Sequence, residues 1–197
     1  MSRLIAAGLL LAAVLAVASP AAGQVGGTTS TTTSTTPSTT TTTPEIPGAP
    51  AGQPGATSPA TILPGGVASV PPDAPWQVAN AIRAANKIHT RTYIWGGGHR
   101  SFKARGYDCS GAVSFVLHAA GLLSSPLVSG QLAFWGAYGP GNWITVYANK
   151  VHTYMVIAGL RYDTSPLGEW INQGRGPRWR YSLRTGIGFA VRHYPGL

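Results

Sequence analysis

The 197-residue chain holds one cysteine, Cys109, within the segment Gly106-Tyr-Asp-Cys-Ser-Gly111. A lone cysteine has no intramolecular disulfide partner, so it is a free thiol, an intermolecular bridge or a nucleophile. Glycines before it mark a loop and apolar periodicity after it marks a helix, which puts Cys109 in a first helical turn. There the unpaired N–H groups and the positive end of the helix dipole favour a thiolate. The same N–H groups suit an oxyanion forming at an acyl carbon. A small buried filler is the plainer use of a free cysteine. Metal binding is not expected, because one Cys among scattered histidines lacks ligand spacing. Ser110 is the weaker nucleophile, since no Gly-x-Ser-x-Gly turn surrounds it.

A thiol nucleophile needs a base, most often histidine. Five are present: His89, His99, His118, His152 and His193. His118 lies on the same helix, half a turn out of phase at about 100° per residue, and points away from Cys109. His89 follows the first helix, His99 sits in a glycine-rich loop and His193 lies near the last residues. His152 opens a strand of largely apolar residues, and a rigid strand positions a base well. A satisfied core histidine is the competing reading of His152.

The hairpin after His152 supplies an orienting partner. A two-residue turn at Ala158-Gly159 pairs Ile157 with Leu160, Met155 with Tyr162, Tyr154 with Asp163 and His152 with Ser165, leaving one face apolar. Asp163 then stands diagonally beside His152, within side-chain reach. It is placed to accept the second imidazole N–H and fix the tautomer. A three-residue turn reverses the parity and favours Thr164.

These residues must be held by a folded domain. Asp73 and Pro75 suit the start of a helix in which Val78, Ile82 and Ala85 recur through about Lys87. A second helix runs from Cys109 to Ala120, with Asp108 or Ser110 as its cap and Gly121 as its terminator. Val113, Val116, Leu117 and Ala120 are its buried stripe. Strands follow at 143–148, 152–157, 160–164 and 188–193. Helices first and clustered strands later indicate an α+β domain, expected over 73–197.

Ahead of that domain the composition changes. Arg3, the apolar run Leu4–Val17 and the small residues after it read as an export signal over 1–23, too short for a comfortable membrane span. A retained anchor is the alternative. Residues 24–72 are rich in Thr, Ser, Pro and Gly without apolar periodicity, and read as a disordered stalk. The segment 73–197 carries 13 Lys and Arg against four Asp and Glu. Such a surface favours anionic polymers, whether nucleic acid, anionic lipid or carboxylate-rich cell-wall material, and equally serves general solubility. Nucleic acid is the weakest of these, because the chain reads as exported and has no recognised nucleic-acid motif.

In Tyr93-Ile-Trp-Gly-Gly97, Tyr107-Asp-Cys-Ser-Gly-Ala-Val113, Ala119-Ala-Gly121 and the strand beginning at His152, the chain resembles the NlpC-type peptidoglycan cysteine peptidases. The resemblance covers roughly 75–165. It implies a papain-like α+β fold with a Cys-bearing helix packed on an antiparallel sheet. It implies a secreted or cell-wall hydrolase acting on stem-peptide bonds of peptidoglycan, often beside D-glutamate and diaminopimelate, with no metal or organic cofactor and no stable membrane span. By position, Cys109 is the nucleophile and His152 the base. Tyr93 matches the tyrosine lining the site, and Asp108 and Ser110 match the residues at the helix start. The third catalytic position, often His in the family, falls here on Asp163 or Thr164. The family's Pro-Gly-Asp before the histidine strand is Pro140-Gly-Asn-Trp143 here, and its small residues after the histidine are Thr153-Tyr154. The stretch 166–187, rich in Arg, Gly and Trp (Trp170, Arg175, Arg178, Trp179, Arg180, Arg184), has no family counterpart. It reads as a substrate-facing loop or a solvated one. A non-catalytic wall-binding module and an amidase or acyltransferase are the alternative functions. Oligomeric state is not legible.

Overall fold

The computed structural model describes residues 58–166, 176–181 and 183–197. The expected export signal, most of the expected stalk, Trp170 and Arg175 lie outside these residues. Two principal helices precede a six-stranded sheet: α1 (Trp76–Ile88), α2 (Cys109–Ala119), a single turn α3 (Ser129–Leu132), then β1 (Ala137–Tyr138), β2 (Ile144–Ala148), β3 (Thr153–Ile157), β4 (Leu160–Asp163), β5 (Arg178–Arg180) and β6 (Ala190–His193). The strand order is β1-β6-β2-β3-β4-β5, and every neighbouring pair is antiparallel. The fold is therefore α+β, with the Cys-bearing helix packed on β3 of an antiparallel sheet. Among the described residues no helix is long and apolar enough to cross a membrane.

Local sequence explains most of these elements. In α1, Val78, Ile82 and Ala85 are fully buried at helical spacing. Its cap falls on Pro75, in extended geometry and with no capping side chain, rather than on Asp73. Proline has no N–H to spend at a helix start and its fixed φ suits that position. In α2, Val113, Val116, Leu117 and Ala120 form the buried stripe, and Gly121 ends the helix with φ +73°.

The β3–β4 hairpin closes through two residues. Ala158 and Gly159 both take positive φ, 47° and 85°, the geometry of a type I′ turn. Ile157 pairs with Leu160 and Met155 with Tyr162. Met155, Ile157, Leu160 and Tyr162 join Val146 and Ala148 of β2 in the core beneath α1 and α2. The Tyr162 hydroxyl donates to Ala85 O across 3.1 Å, tying this face to α1. The opposite face is also buried, yet it carries Thr145, Tyr154, Arg161, Asp163 and Arg180.

Folded structure begins before residue 73, which corrects the expected boundary of the stalk. Ala60 and Ala68 are buried in the core. Ala60 N–H donates to Ala158 O at 2.9 Å, and Ile62 bridges Ala68. The Asn86 side chain accepts from Ala68 N–H and from Trp179 Nε1, at 2.8 and 2.7 Å, and donates to Ala68 O at 2.8 Å. Ile62, Val67 and Val70 sit among Pro and Gly with no period, so composition hid a segment held by specific hydrogen bonds rather than by an amphipathic face. Strands β1 and β5 are likewise absent from the sequence reading, being only two and three residues long.

Candidate active site

The start of α2 is built by side-chain capping and by close backbone approach. Asp108 occupies the cap position in extended geometry, and its Oδ1 accepts the Gly111 N–H at 2.8 Å. The glycine loop lies directly over this turn: Asp108 N–H donates to Gly97 O at 3.2 Å. A Cβ at Gly111 would collide with Gly97 O. That contact explains why glycine follows Cys-Ser, since any side chain would push the loop off the helix start.

Cys109 opens the helix and is 7% exposed. Its Sγ lies 3.4 Å from the Ser129 hydroxyl of α3. It also lines a cavity of about 380 Å³ whose wall includes Trp95, His99, Asp108, Ser110, Val128, Ser129, Lys150 and Val151. Burial pushes the thiol pKa up, but hydrogen bonds with His152 and Ser129 and the charge of the imidazole outweigh it, leaving the thiol below its ordinary value.

His152 immediately precedes β3. Its backbone N–H donates to Asn149 Oδ1 at 2.9 Å, as does that of Val151 at 2.9 Å, so the β2–β3 connection is pinned beside the imidazole. The ring Nε2 lies 3.0 Å from Asp163 Oδ1 and 3.3 Å from the Ser165 hydroxyl. A carboxylate only accepts, so Nε2 carries the proton and Nδ1 is left for the thiol. Burial alone would depress the imidazole. The hydrogen bond and charge of Asp163, with those of the thiol, instead raise it to about 9.

Asp163 ends β4 at 2% exposure. Burial pushes its carboxyl up, but His152 and the Ser165 N–H and hydroxyl hold it far below the usual carboxylate range. The Ser165 N–H and hydroxyl both donate to Oδ1, each at 2.9 Å. Oδ2 has no hydrogen bond among the described residues, yet Arg184 Nη1 and Arg161 Nε stand 3.5 and 3.6 Å away. The two-residue turn puts Asp163, not Thr164, on the imidazole.

The His152 imidazole thus bonds the Asp163 carboxylate and interacts with the Cys109 thiol, joining the start of α2, the residue before β3 and the end of β4. Asp108 and Ser110 flank Cys109 at the helix start. Tyr93 is half-buried on the loop before α2 and lies outside the cavity lining. His118 stacks on Phe102 with ring centroids 3.8 Å apart, His89 bonds Asn86 O and Gly65 O, and His193 bonds Gly139 O. His99 does reach the cavity, but its Nε2 lies 2.7 Å from Asp108 Oδ2 and 2.9 Å from the Ser110 hydroxyl. Sequence reasoning missed Ser129, Lys150 and Arg161; it set Ser165 opposite His152 in the hairpin register, and it named Arg184 only as part of the 166–187 stretch, not as a partner of Asp163. No spacing rule links them to Cys109, and only the tertiary fold brings them there. Among the described residues no group of three or more His, Cys, Asp or Glu is placed to hold a metal.

No family model and no curated protein matches the chain. Among solved structures it is similar to the peptidoglycan hydrolase RipB from Mycobacterium tuberculosis, at 20% identity over 59% of this chain and 64% of that one, with a TM-score of 0.46. It is similar to the resuscitation promoting factor interacting protein RipA, at 19% identity over 72% of this chain and 71% of that one, with a TM-score of 0.44. RipD from Mycobacterium tuberculosis, described as a non-catalytic NlpC/p60 domain protein, is similar at 17% identity over 61% of this chain and 98% of that one, with a TM-score of 0.44. The chain spans just under two thirds of the RipB structure.

Proposed function

We propose that the chain is an exported hydrolase of bacterial cell-wall peptidoglycan. Cys109 is the nucleophile, His152 the general base and Asp163 the residue that orients the imidazole. The observation that carries the reading is geometric: a thiol in the first turn of α2 lines an open cavity, beside an imidazole whose Nε2 lies 3.0 Å from a buried carboxylate, and the charges so arranged lower the thiol pKa and raise that of the imidazole. That pairing is what a thiolate nucleophile requires. Export is supported by Arg3 and the apolar run behind it. The choice of substrate is supported by the residues shared with the NlpC-type peptidases and by a basic surface suited to carboxylate-rich polymers.

The chemistry follows from the geometry. His152 Nδ1 takes the thiol proton, and Nε2–H stays on Asp163. The thiolate attacks the peptide carbonyl carbon, forming a C–S bond while the carbonyl electrons move to oxygen. The Cys109 N–H at the helix start stabilises that oxyanion. Collapse breaks the C–N bond as His152 gives its proton to the leaving amine. Water, deprotonated by His152, then releases the acyl group and restores the thiolate.

The test is lysis of purified peptidoglycan by the mature protein. Cys109→Ala and His152→Ala each abolish it; lysis retained by either variant refutes the assignment. Wall binding without lysis by the wild type would return the binding module instead. Mass spectrometry of the released muropeptides separates a peptidase from an amidase or acyltransferase.

A further inference from the structure

We infer that a groove along α1, distinct from the cavity of Cys109, binds a polyol chain linked by phosphodiesters, and that Lys87, Arg91 and Lys103 hold its phosphates. The inference goes beyond the hydrolase reading and does not depend on it.

Two neighbouring hollows form the groove. One, of about 210 Å³, has Lys87, Arg91 and Lys103 on its wall, over an apolar lining of Ile88, Ala104 and Phe115. The other, of about 290 Å³, carries Arg83 and shares Lys87 and Phe115 with the first. No residue of either lines the cavity of Cys109. Arg83 and Lys87 stand one turn apart on the same face of α1, about 6 Å along the axis. Arg91 follows in the turn after the helix, where its N–H donates to Ile88 O at 2.9 Å. Lys103 comes from the loop before α2, and Tyr107 ties that loop down. The Tyr107 hydroxyl donates to Phe102 O at 2.8 Å and accepts the Ala104 N–H at 3.3 Å.

All four cations are exposed. Arg83 Nη1 donates to Asn80 Oδ1 at 3.4 Å. No ion pair or side-chain hydrogen bond among the described residues engages Lys87, Arg91 or Lys103. The acids of the described residues, Asp73, Asp108 and Asp163, line neither hollow. Asp108 and Asp163 are 3% and 2% exposed and are engaged elsewhere, by His99 and Gly111 and by His152 and Ser165. Asp73 precedes α1 and lies about 17 Å or more from Lys87 along the helix axis, beyond the reach of a screened charge. The negative end of the α1 dipole offsets roughly half of one charge. Like charges gathered on one helix face cost the fold stability, so a ligand, not folding, accounts for the arrangement.

The cations approach from the helix, from the turn after it and from the facing loop. They surround an anion whose oxygens point several ways, as those of a phosphate do, whereas a planar carboxylate is served by a single fork. The second hollow extends the groove to a further charge, which suits a repeating chain over a lone ion. Trp95, Phe134 and Tyr138, large side chains exposed elsewhere, are absent from the groove. It therefore has nothing to insert into a bilayer and no open ring on which a base would stack.

The experiment measures binding of the full-length protein to synthetic poly(glycerol phosphate) by calorimetry over a salt series. Poly-L-glutamate of equal charge, a single-stranded oligonucleotide and phosphatidylglycerol vesicles are the competing ligands. Poly(glycerol phosphate) is expected to bind most tightly. Lys87→Gln with Lys103→Gln weakens that binding about fivefold at low salt, the effect of two exposed ion pairs. The same pair lowers the slope of log affinity against log salt by about two. Lys150→Gln with Arg192→Gln, an equal loss of charge outside the groove, weakens it less than about twofold. Equal losses in the two double variants, tighter binding of any competing ligand, or no binding of poly(glycerol phosphate) overturns the inference. None of these results bears on the hydrolase reading, which the lysis assay tests separately.

Discussion

His152 Nε2 lies 3.0 Å from Asp163 Oδ1, although the two residues are eleven apart in sequence. The type I′ turn at Ala158-Gly159 sets this relationship. It pairs Met155 with Tyr162, and the register continues outward until the strand-end carboxylate reaches the residue before β3. One residue more or fewer in that turn would send Asp163 to the other face of the sheet.

Replacing Asp163 by Asn removes the largest influence holding the imidazole proton. With the carboxylate gone, the His152 pKa falls from about 9 toward its ordinary value, so the basic limb of the kcat/KM profile moves to lower pH. Asparagine can also present its amide NH₂ to Nε2 and impose the wrong tautomer. The rate should drop on the order of 10²- to 10⁴-fold. A pH profile of peptidoglycan-peptide cleavage reads both effects; an unchanged basic limb would show that Asp163 does not act on the imidazole.

The arginines behind Asp163 act in the opposite sense. Arg161 Nε and Arg184 Nη1 approach Oδ2 and offset part of its negative charge. Arg161→Met removes one buried guanidinium, leaves Asp163 more negative, and should raise the basic limb by up to about one pH unit. Arg161→Lys should restore the limb. Loss of rate with no shift in the profile would mean that Arg161 serves packing only.

Stability follows the same pair. The folded-state pKa of His152 lies above its unfolded value of 6.5, so its contribution is fully present below pH 6.5 and is lost as pH rises through about 9. Asp163 is depressed, so its contribution is present above its unfolded value of 3.8 and fades as pH falls below that. The depressed Cys109 thiol contributes in the opposite sense up to its unfolded value of 9.0, so the two nearly cancel in the wild type. The effect of His152 is therefore read in Cys109→Ala protein, whose urea midpoint should decline as pH rises above 6.5, and adding Asp163→Asn should make that decline smaller by on the order of 1–3 kcal/mol. Parallel pH curves for the single and double variants would contradict this.

Gly111→Ala tests the contact between loop and helix. Its Cβ would meet Gly97 O, and backbone cannot swing aside as a side-chain tip can. The expected cost is about 2 kcal/mol or more in denaturant unfolding, with slower thiol alkylation as the helix start is displaced. A loss below about 0.5 kcal/mol, within the range of an ordinary surface change, would show that the loop accommodates it.

The parts of this fold that the sequence made legible are those governed by short-range rules. The α2 cap, the α2 stripe and the hairpin parity each depend on a few adjacent residues, which left only two choices for the cap, Asp108 or Ser110, and two for the parity. That is why Asp163 could be set beside His152 on paper, whereas joining Cys109 to His152 needed the family resemblance. The segment around Ala60 and Ala68 was read as stalk because its ordering depends on Asn86 and Ala158, which are distant in sequence. Ser129, Lys150, Arg161 and the approach of Arg184 to Asp163 were not visible for the same reason. Their roles come from where the fold carries them, and a serine or lysine in isolation has many ordinary uses. His99 shows the converse. It was set aside for lying in a glycine-rich loop, yet the fold brings it to the cavity, where its ring is engaged by Asp108 and Ser110.

The most direct measurement is the titration of Cys109, followed by thiolate absorbance and by the pH dependence of iodoacetamide alkylation. Wild type should ionise below the ordinary thiol value of 9.0, and His152→Ala should move the midpoint up, because burial then acts without the imidazole to oppose it. A wild-type midpoint at or above 9.0, or one unmoved by His152→Ala, would contradict the thiolate–imidazolium pair on which the proposed chemistry depends.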